Sequence, residues 1–237
     1  MNDGEIISLA REVLKCEANS ILATVDRLDA NFAKAVNAIL SHKGKLLVCG
    51  LGKSGLVAQK IAATLSSTGT PAVFLHACDA VHGDLGVYEP GDPTILISNS
   101  GATVECVRLI PILKKFKSTI IALIGNIDSP MGRSSDIILD ASSHGEADPL
   151  GIVPTNSTTL AMAMGDAEGA QIFERGLCEV SSSRPAWQKF IVGRSRRDDA
   201  CKRLRDSFKG RQRPQDSDRD DPQAARGCLR SFGRRKA

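Results

Sequence analysis

No apolar run in this sequence approaches the ~18–20 residues that would carry a helix across a bilayer. A membrane-spanning role is therefore not expected. The opening residues Met1-Asn2-Asp3-Gly4-Glu5 are acidic rather than basic, which argues against a signal peptide. No Cys-x-x-Cys pair occurs either. The seven cysteines, at 16, 49, 78, 106, 178, 201 and 228, are odd in number and scattered. That excludes a disulfide framework or zinc ribbon and predicts reduced thiols in a cytoplasmic protein, with no metal. Histidine is scarce as well, with four in the chain and none beyond His144.

A uniform charge is also missing. Residues 184–237 hold 17 Lys/Arg against 7 Asp/Glu, while the rest of the chain is net −6. The basic segment has few apolar residues, no sustained period and no regular interleaving of aromatics. It reads as a solvated tail without a nucleic-acid partner. The division expected is a folded domain over 1–178 and an atypical, largely disordered basic tail over 179–237.

What is present is an alternating texture. An amphipathic helix is predicted over 5–27, with apolar residues at 6, 7, 9, 10, 13, 14, 21 and 22, and a second helix over 30–41. Strand-like runs follow at 45–49, 72–76, 94–98, 119–124 and 136–139. Helical patterns lie at 54–68, 103–116, near 129–134 and at 157–175. Strands alternating with helices predict an α/β three-layer sandwich, a five-stranded parallel sheet flanked by helices. Ligands of such sheets bind at the carboxyl ends of the strands.

After the first strand comes Cys49-Gly50-Leu51-Gly52-Lys53-Ser54-Gly55. A nucleotide P-loop would need glycine at 47, where Leu47 stands. The spacing of Gly50, Gly52 and Gly55 meets the dinucleotide fingerprint, but the second strand ends at His76, with Asp79 three residues on as a poor match to the ribose-binding acid. The third strand runs into Ser98-Asn99-Ser100-Gly101-Ala102-Thr103-Val104-Glu105. Hydroxyls gathered around a glycine at a helix N-terminus suit phosphate oxygens. Helix capping alone accounts for one of those hydroxyls, not three.

The motifs CGLGKSG, STGTPAVFLHACDAVHGDLG, ISNSGATVE, EADPLGIVPTNSTT and MGDA, in that order, resemble the sugar isomerase (SIS) domain of bacterial arabinose-5-phosphate isomerases over roughly residues 1–176. The resemblance implies a flavodoxin-like sheet, a homotetramer, no cofactor and a pentose 5-phosphate substrate. The implied activity is the interconversion of D-ribulose 5-phosphate and D-arabinose 5-phosphate for Kdo and lipopolysaccharide synthesis. It implies catalytic roles for Lys53, His82, Glu105 and Glu146. It implies substrate or phosphate contacts for Gly52, Ser54, Ser98, Asn99, Ser100, Thr103, Thr155, Ser157 and Thr158. An enediolate isomerisation needs a carboxylate base, for which burial is expected to raise the pKa of Glu105 or Glu146, and a cation such as Lys53 to offset charge on the oxygens.

The chain departs from the family in three places. His76-Ala77-Cys78-Asp79-Ala80 lacks the family's proline and carries a shorter acid. The late histidine associated with ring opening is absent, with Arg184 nearest in the aligned stretch. The usual CBS pair is replaced by the basic tail. A non-catalytic sugar-phosphate-binding regulator is therefore the alternative reading, and an NAD enzyme a third.

Overall fold

The structure, a computed structural model, describes residues 1–178. The expectations for the tail over 179–237 lie outside the described residues. Two helices, α1 (Asp3–Val25) and α2 (Ala30–Ser41), precede β1 (Leu46–Gly50), α3 (Gly52–Ser67) and β2 (Ala72–His76). A short α4 (Ala77–Ala80) and a 3-10 turn (Asp84–Val87) lead to β3 (Thr94–Ser98). Then come α5 (Val104–Lys115), β4 (Ile120–Ile124), α6 (Pro130–Ser134), β5 (Ile137–Asp140) and α7 (Asn156–Cys178).

The five strands form one parallel sheet in the order β2-β1-β3-β4-β5. This is the flavodoxin-like order, and it places the switch point between β1 and β3. Both faces are covered, so β1, β3 and β4 are buried at every position. Alternate residues serve opposite layers. Val48, Ile97 and Leu123 pack under α2, α3 and α7 with Val57, Ile61, Leu65 and Leu160. Cys49, Leu96 and Ala122 pack against Cys106, Leu109 and Leu113 of α5 and against α4 and α6.

Local chemistry sets the helix ends. Asn2 and Glu5 form a reciprocal capping box on α1. Asp29 caps α2 and Ser129 caps α6, where Pro130 fills the first turn. At the amino end of the sheet, the wholly buried Asp92 accepts from His42 Nε2 at 2.9 Å, Lys45 Nζ at 2.8 Å and the Glu89 amide at 2.9 Å. Burial alone would raise its pKa. The Lys45 ammonium and these donors outweigh that and hold the carboxyl below its ordinary range.

The periodic elements fall within about two residues of their predicted limits, apart from the longer α7. The short α4 and the 3-10 turn carry no period and were not legible. The apolar stripe of α1 behaves differently from expectation. Ile6, Ile7, Leu14 and Leu22 are exposed, and the helix buries Ser20 and Thr24 instead.

Candidate functional site

The carboxyl ends of the strands carry every residue singled out in the sequence. Gly50 closes β1 and must be a glycine, because a Cβ there would lie 2.7 Å from the Ser54 carbonyl oxygen. Gly52 takes a positive φ of 58° as the chain turns into α3. Leu51, the residue preceding α3, gives it no side-chain cap, so the N–H groups of its first turn lack that partner. Lys53 and His82 are exposed and make no ion pair among the described residues.

The loop after β3 is organised from within. Ser98 Oγ is buried. It accepts from the Gly101 amide at 3.0 Å and bonds Thr103 Oγ1 at 2.8 Å and Ser100 Oγ at 3.4 Å. The Thr103 hydroxyl therefore does not cap α5, whose first turn has no side-chain cap either. The neighbouring loop locks the bend. Gly125 N–H donates to Asn99 O at 3.0 Å, and Met131 N–H to Gly101 O at 3.0 Å. Gly101 has a φ of 61°, and a Cβ on it would meet Ser129 Oγ at 2.0 Å. Glu105 sits half-buried in the first turn of α5.

The third helix N-terminus on this side is occupied. Glu146 Oε2 accepts from the amides of Thr155 at 2.8 Å and Ser157 at 3.1 Å and from Thr155 Oγ1 at 3.2 Å. Its Oε1 accepts from Ser157 Oγ. Glu146 is thus a long-range anionic cap on α7. This corrects the expectation of a raised pKa. Burial does push the carboxyl up, but the Ser157 hydroxyl and the Thr155 and Ser157 amides outweigh it and hold the group below its ordinary range.

Ser54, Ser98, Asn99, Ser157 and Thr158 line one cleft with Gly125 and Ala141. Its volume is about 20 Å³, room for a single water rather than a sugar. Lys53, Glu105, Glu146, Ser100, Thr103, Thr155, Gly52 and His82 stand outside this cleft, on the same end of the sheet.

Sequence reasoning missed several supporting residues. Asn156 is buried, and its Nδ2 donates to Gly145 O at 2.8 Å, pinning the Glu146 loop. Asp148 gathers the amides of Leu150, Ile152 and Val153 at 2.7–3.0 Å. Asp148-Pro149 with Gly151 two residues on is a turn signal that could have pointed to Asp148. His76 Nδ1 lies 3.2 Å from Asp79 Oδ2 at the end of β2.

The SIS domain family model matches residues 39–168. An arabinose 5-phosphate isomerase (KdsD) of Pseudomonas aeruginosa is 41% identical over 170 residues, 72% of this chain and 52% of that protein. The KdsD of Yersinia pestis is 45% identical over 157 residues, 66% of this chain and 48% of that protein. The chain thus spans about half the length of the curated relatives it matches. Among solved structures, an E. coli CFT073 protein in complex with arabinose 5-phosphate is 37% identical, with a TM-score of 0.71, covering 74% of this chain and 93% of that one.

Proposed function

Because the chain belongs to the SIS domain family, we propose that it binds a pentose 5-phosphate and interconverts D-ribulose 5-phosphate with D-arabinose 5-phosphate. The observation that carries this reading is the hydroxyl loop 98–103 between two helices, α3 and α5, whose first turns have no side-chain cap. Uncapped N–H groups and helix dipoles favour a dianion there. The Ser100 and Thr103 hydroxyls add donors at the loop's outer side, while Ser98 holds its shape.

With the phosphate so placed, the reaction moves a proton between C1 and C2 through an enediolate. A carboxylate must take that proton, and Glu105 and Glu146 are the two at hand. Glu146, acceptor-saturated by α7, starts as a strong acid and a weak base. Substrate hydroxyls that draw off the Ser157 or Thr155 donors would raise its basicity. Lys53 offsets negative charge on the enediolate oxygens, and His82 binds sugar hydroxyls or passes a proton between them. Arabinose 5-phosphate made this way would serve Kdo and lipopolysaccharide synthesis in the cytoplasm.

Exposed apolar side chains crowd the same end of the molecule. Val81, Val87, Val104, Leu150, Ile152 and Val153 lie in or next to the loops that follow the strand carboxyl ends, and Leu56 lies in the second turn of α3. A face of this kind on a folded domain needs a cover. We assign it, with the exposed stripe of α1, to contacts within a homotetramer, which light scattering on the purified chain would test.

The decisive experiment is an isomerase assay with ribulose 5-phosphate, read by the appearance of arabinose 5-phosphate. It should be paired with thermal shift against both pentose phosphates and NAD. Stabilisation by the pentose phosphates and not by NAD is expected, with measurable turnover. Stabilisation without any turnover would make the chain a sugar-phosphate-binding regulator. Stabilisation by NAD alone would overturn the reading.

A further inference from the structure

Glu168 stands where an apolar residue belongs. One helical turn to either side of it, Met164 and Ile172 are core residues of the layer under α7. Glu168 itself is wholly enclosed, and neither carboxyl oxygen has a hydrogen-bond partner among the described residues. The two glycines beside it bring α7 tightly against α3. A Cβ at Gly165 would lie 2.3 Å from Ile61 Cδ1, and one at Gly169 would lie 3.3 Å from Thr64 Cγ2.

The charged and titratable groups on the surrounding elements are engaged elsewhere or turned away. On α3, Lys53 is exposed and Lys60 pairs with Asp166. On α2, Lys34 bonds Asn31. Following α1, Arg27 pairs with Asp140 at 3.2 Å; on α1 itself Arg11 and Lys15 are exposed, and the half-buried Cys16 and Glu17 are not cations. On α7 itself, Arg175 bonds Asn37, and Glu174 is a further acid. Among the described residues, a carboxylate at 168 would have no counter-charge and no donor.

We propose that Glu168 makes the docking of α7 on α3 respond to pH, the helix seated when this side chain is a neutral acid and loosened when it gives up its proton to solvent. Burial pushes the group up to about 8 in the docked state, against 4.5 when exposed. The sign follows from linkage. Docking is unpenalised below the exposed value and weakens by about tenfold per pH unit as pH rises, levelling off above the docked value. The first turn of α7 carries Ser157 and Thr158 and holds Glu146, so the loosening reaches the candidate site through one rigid element.

The test is hydrogen exchange on the full chain from pH 5.5 to 8.5, corrected for intrinsic chemistry, for the wild type, Glu168→Gln and Glu168→Leu. In the wild type, peptides from 160–175 should lose protection relative to β3 and β4 by about tenfold per pH unit up to about pH 8. Both variants should hold a flat ratio. Parallel profiles in all three proteins would overturn the proposal. So would wild-type α7 peptides that keep pace with the sheet at every pH.

Discussion

Ser157 Oγ donates to the carboxylate of Glu146, eleven residues upstream, and so ties the last loop of the sheet to the first turn of α7. The same carboxylate takes two backbone amides at that helix start. One residue therefore serves two ends: a helix cap in the free protein and a candidate base when substrate competes for its donors.

Ser157→Ala should cost about 1 kcal/mol of stability, the usual worth of a hydrogen bond at a helix start. It should also raise the Glu146 pKa, because the chief hydrogen bond opposing burial is lost. Glu146→Gln should cost more, about 2 kcal/mol, since a charge-assisted cap becomes a neutral one. Urea melts would give both costs, and the pH–rate profile of Ser157→Ala would show the shift. Unchanged stability in Glu146→Gln would remove the capping role.

The phosphate loop separates binding from shape. Ser100→Ala should weaken pentose phosphate binding by about 1–3 kcal/mol and leave the melting temperature nearly unchanged. Gly101→Ala should lower both, because its φ of 61° is unfavourable to alanine and the new Cβ strikes Ser129. Calorimetry with arabinose 5-phosphate, beside thermal melts, distinguishes the two. Equal affinities for wild type and Ser100→Ala would take Ser100 out of the site.

Acid should loosen the amino end of the sheet through Asp92. Its folded pKa is depressed, so its contribution is present above the unfolded value near 4 and is lost as pH falls through the folded value. Asp92→Asn should cost about 3 kcal/mol at pH 7, because Lys45 loses a buried partner. The gap to wild type should narrow on acidification. Melts at pH 7 and pH 3 would show it, and a gap that stays constant would refute the assignment.

Turnover should be low for a family member. No histidine follows His144, and arginine at 184 stays protonated at any working pH. Loss of a positioned acid–base group costs about 10²–10⁴-fold. Assayed beside the Pseudomonas aeruginosa relative at several pH values, this chain should bind substrate and turn over slower by about that factor. Equal rates would mean that another residue opens the sugar ring.

Much of this is legible in the sequence. The sheet and its main helices follow from apolar runs and helical periods, because burial on both faces leaves β1, β3 and β4 nearly free of polar residues. The hydroxyl loop is legible because its composition exceeds what a cap needs. The state of Glu146 is not. Its partners lie nine and eleven residues ahead, and only the fold shows that they form the start of a helix. Glu168 escapes for the opposite reason. A single acid in a helical pattern reads as solvent-facing, and its burial depends on α3 approaching through Gly165 and Gly169. The exposed stripe of α1 shows the limit of periodicity, which reports an apolar face without saying what covers it.

The unequal ends of the sheet decide where the chain can accept new sequence. Around the amino-end turns at 42–45, 89–93 and 116–119, no large apolar side chain is exposed among the described residues. Polar turns of this kind tolerate inserted residues when the backbone bonds beneath them survive. Asp92 ties the three together: its carboxylate takes the Lys45 and Glu89 amides, and its carbonyl accepts from the buried Ser118 Oγ at 2.7 Å. A peptide tag or a whole domain carried on these turns would project away from both the candidate-site loops and the apolar face, provided the bonds of Asp92 and Ser118 are kept, so the molecule could be enlarged from one side only.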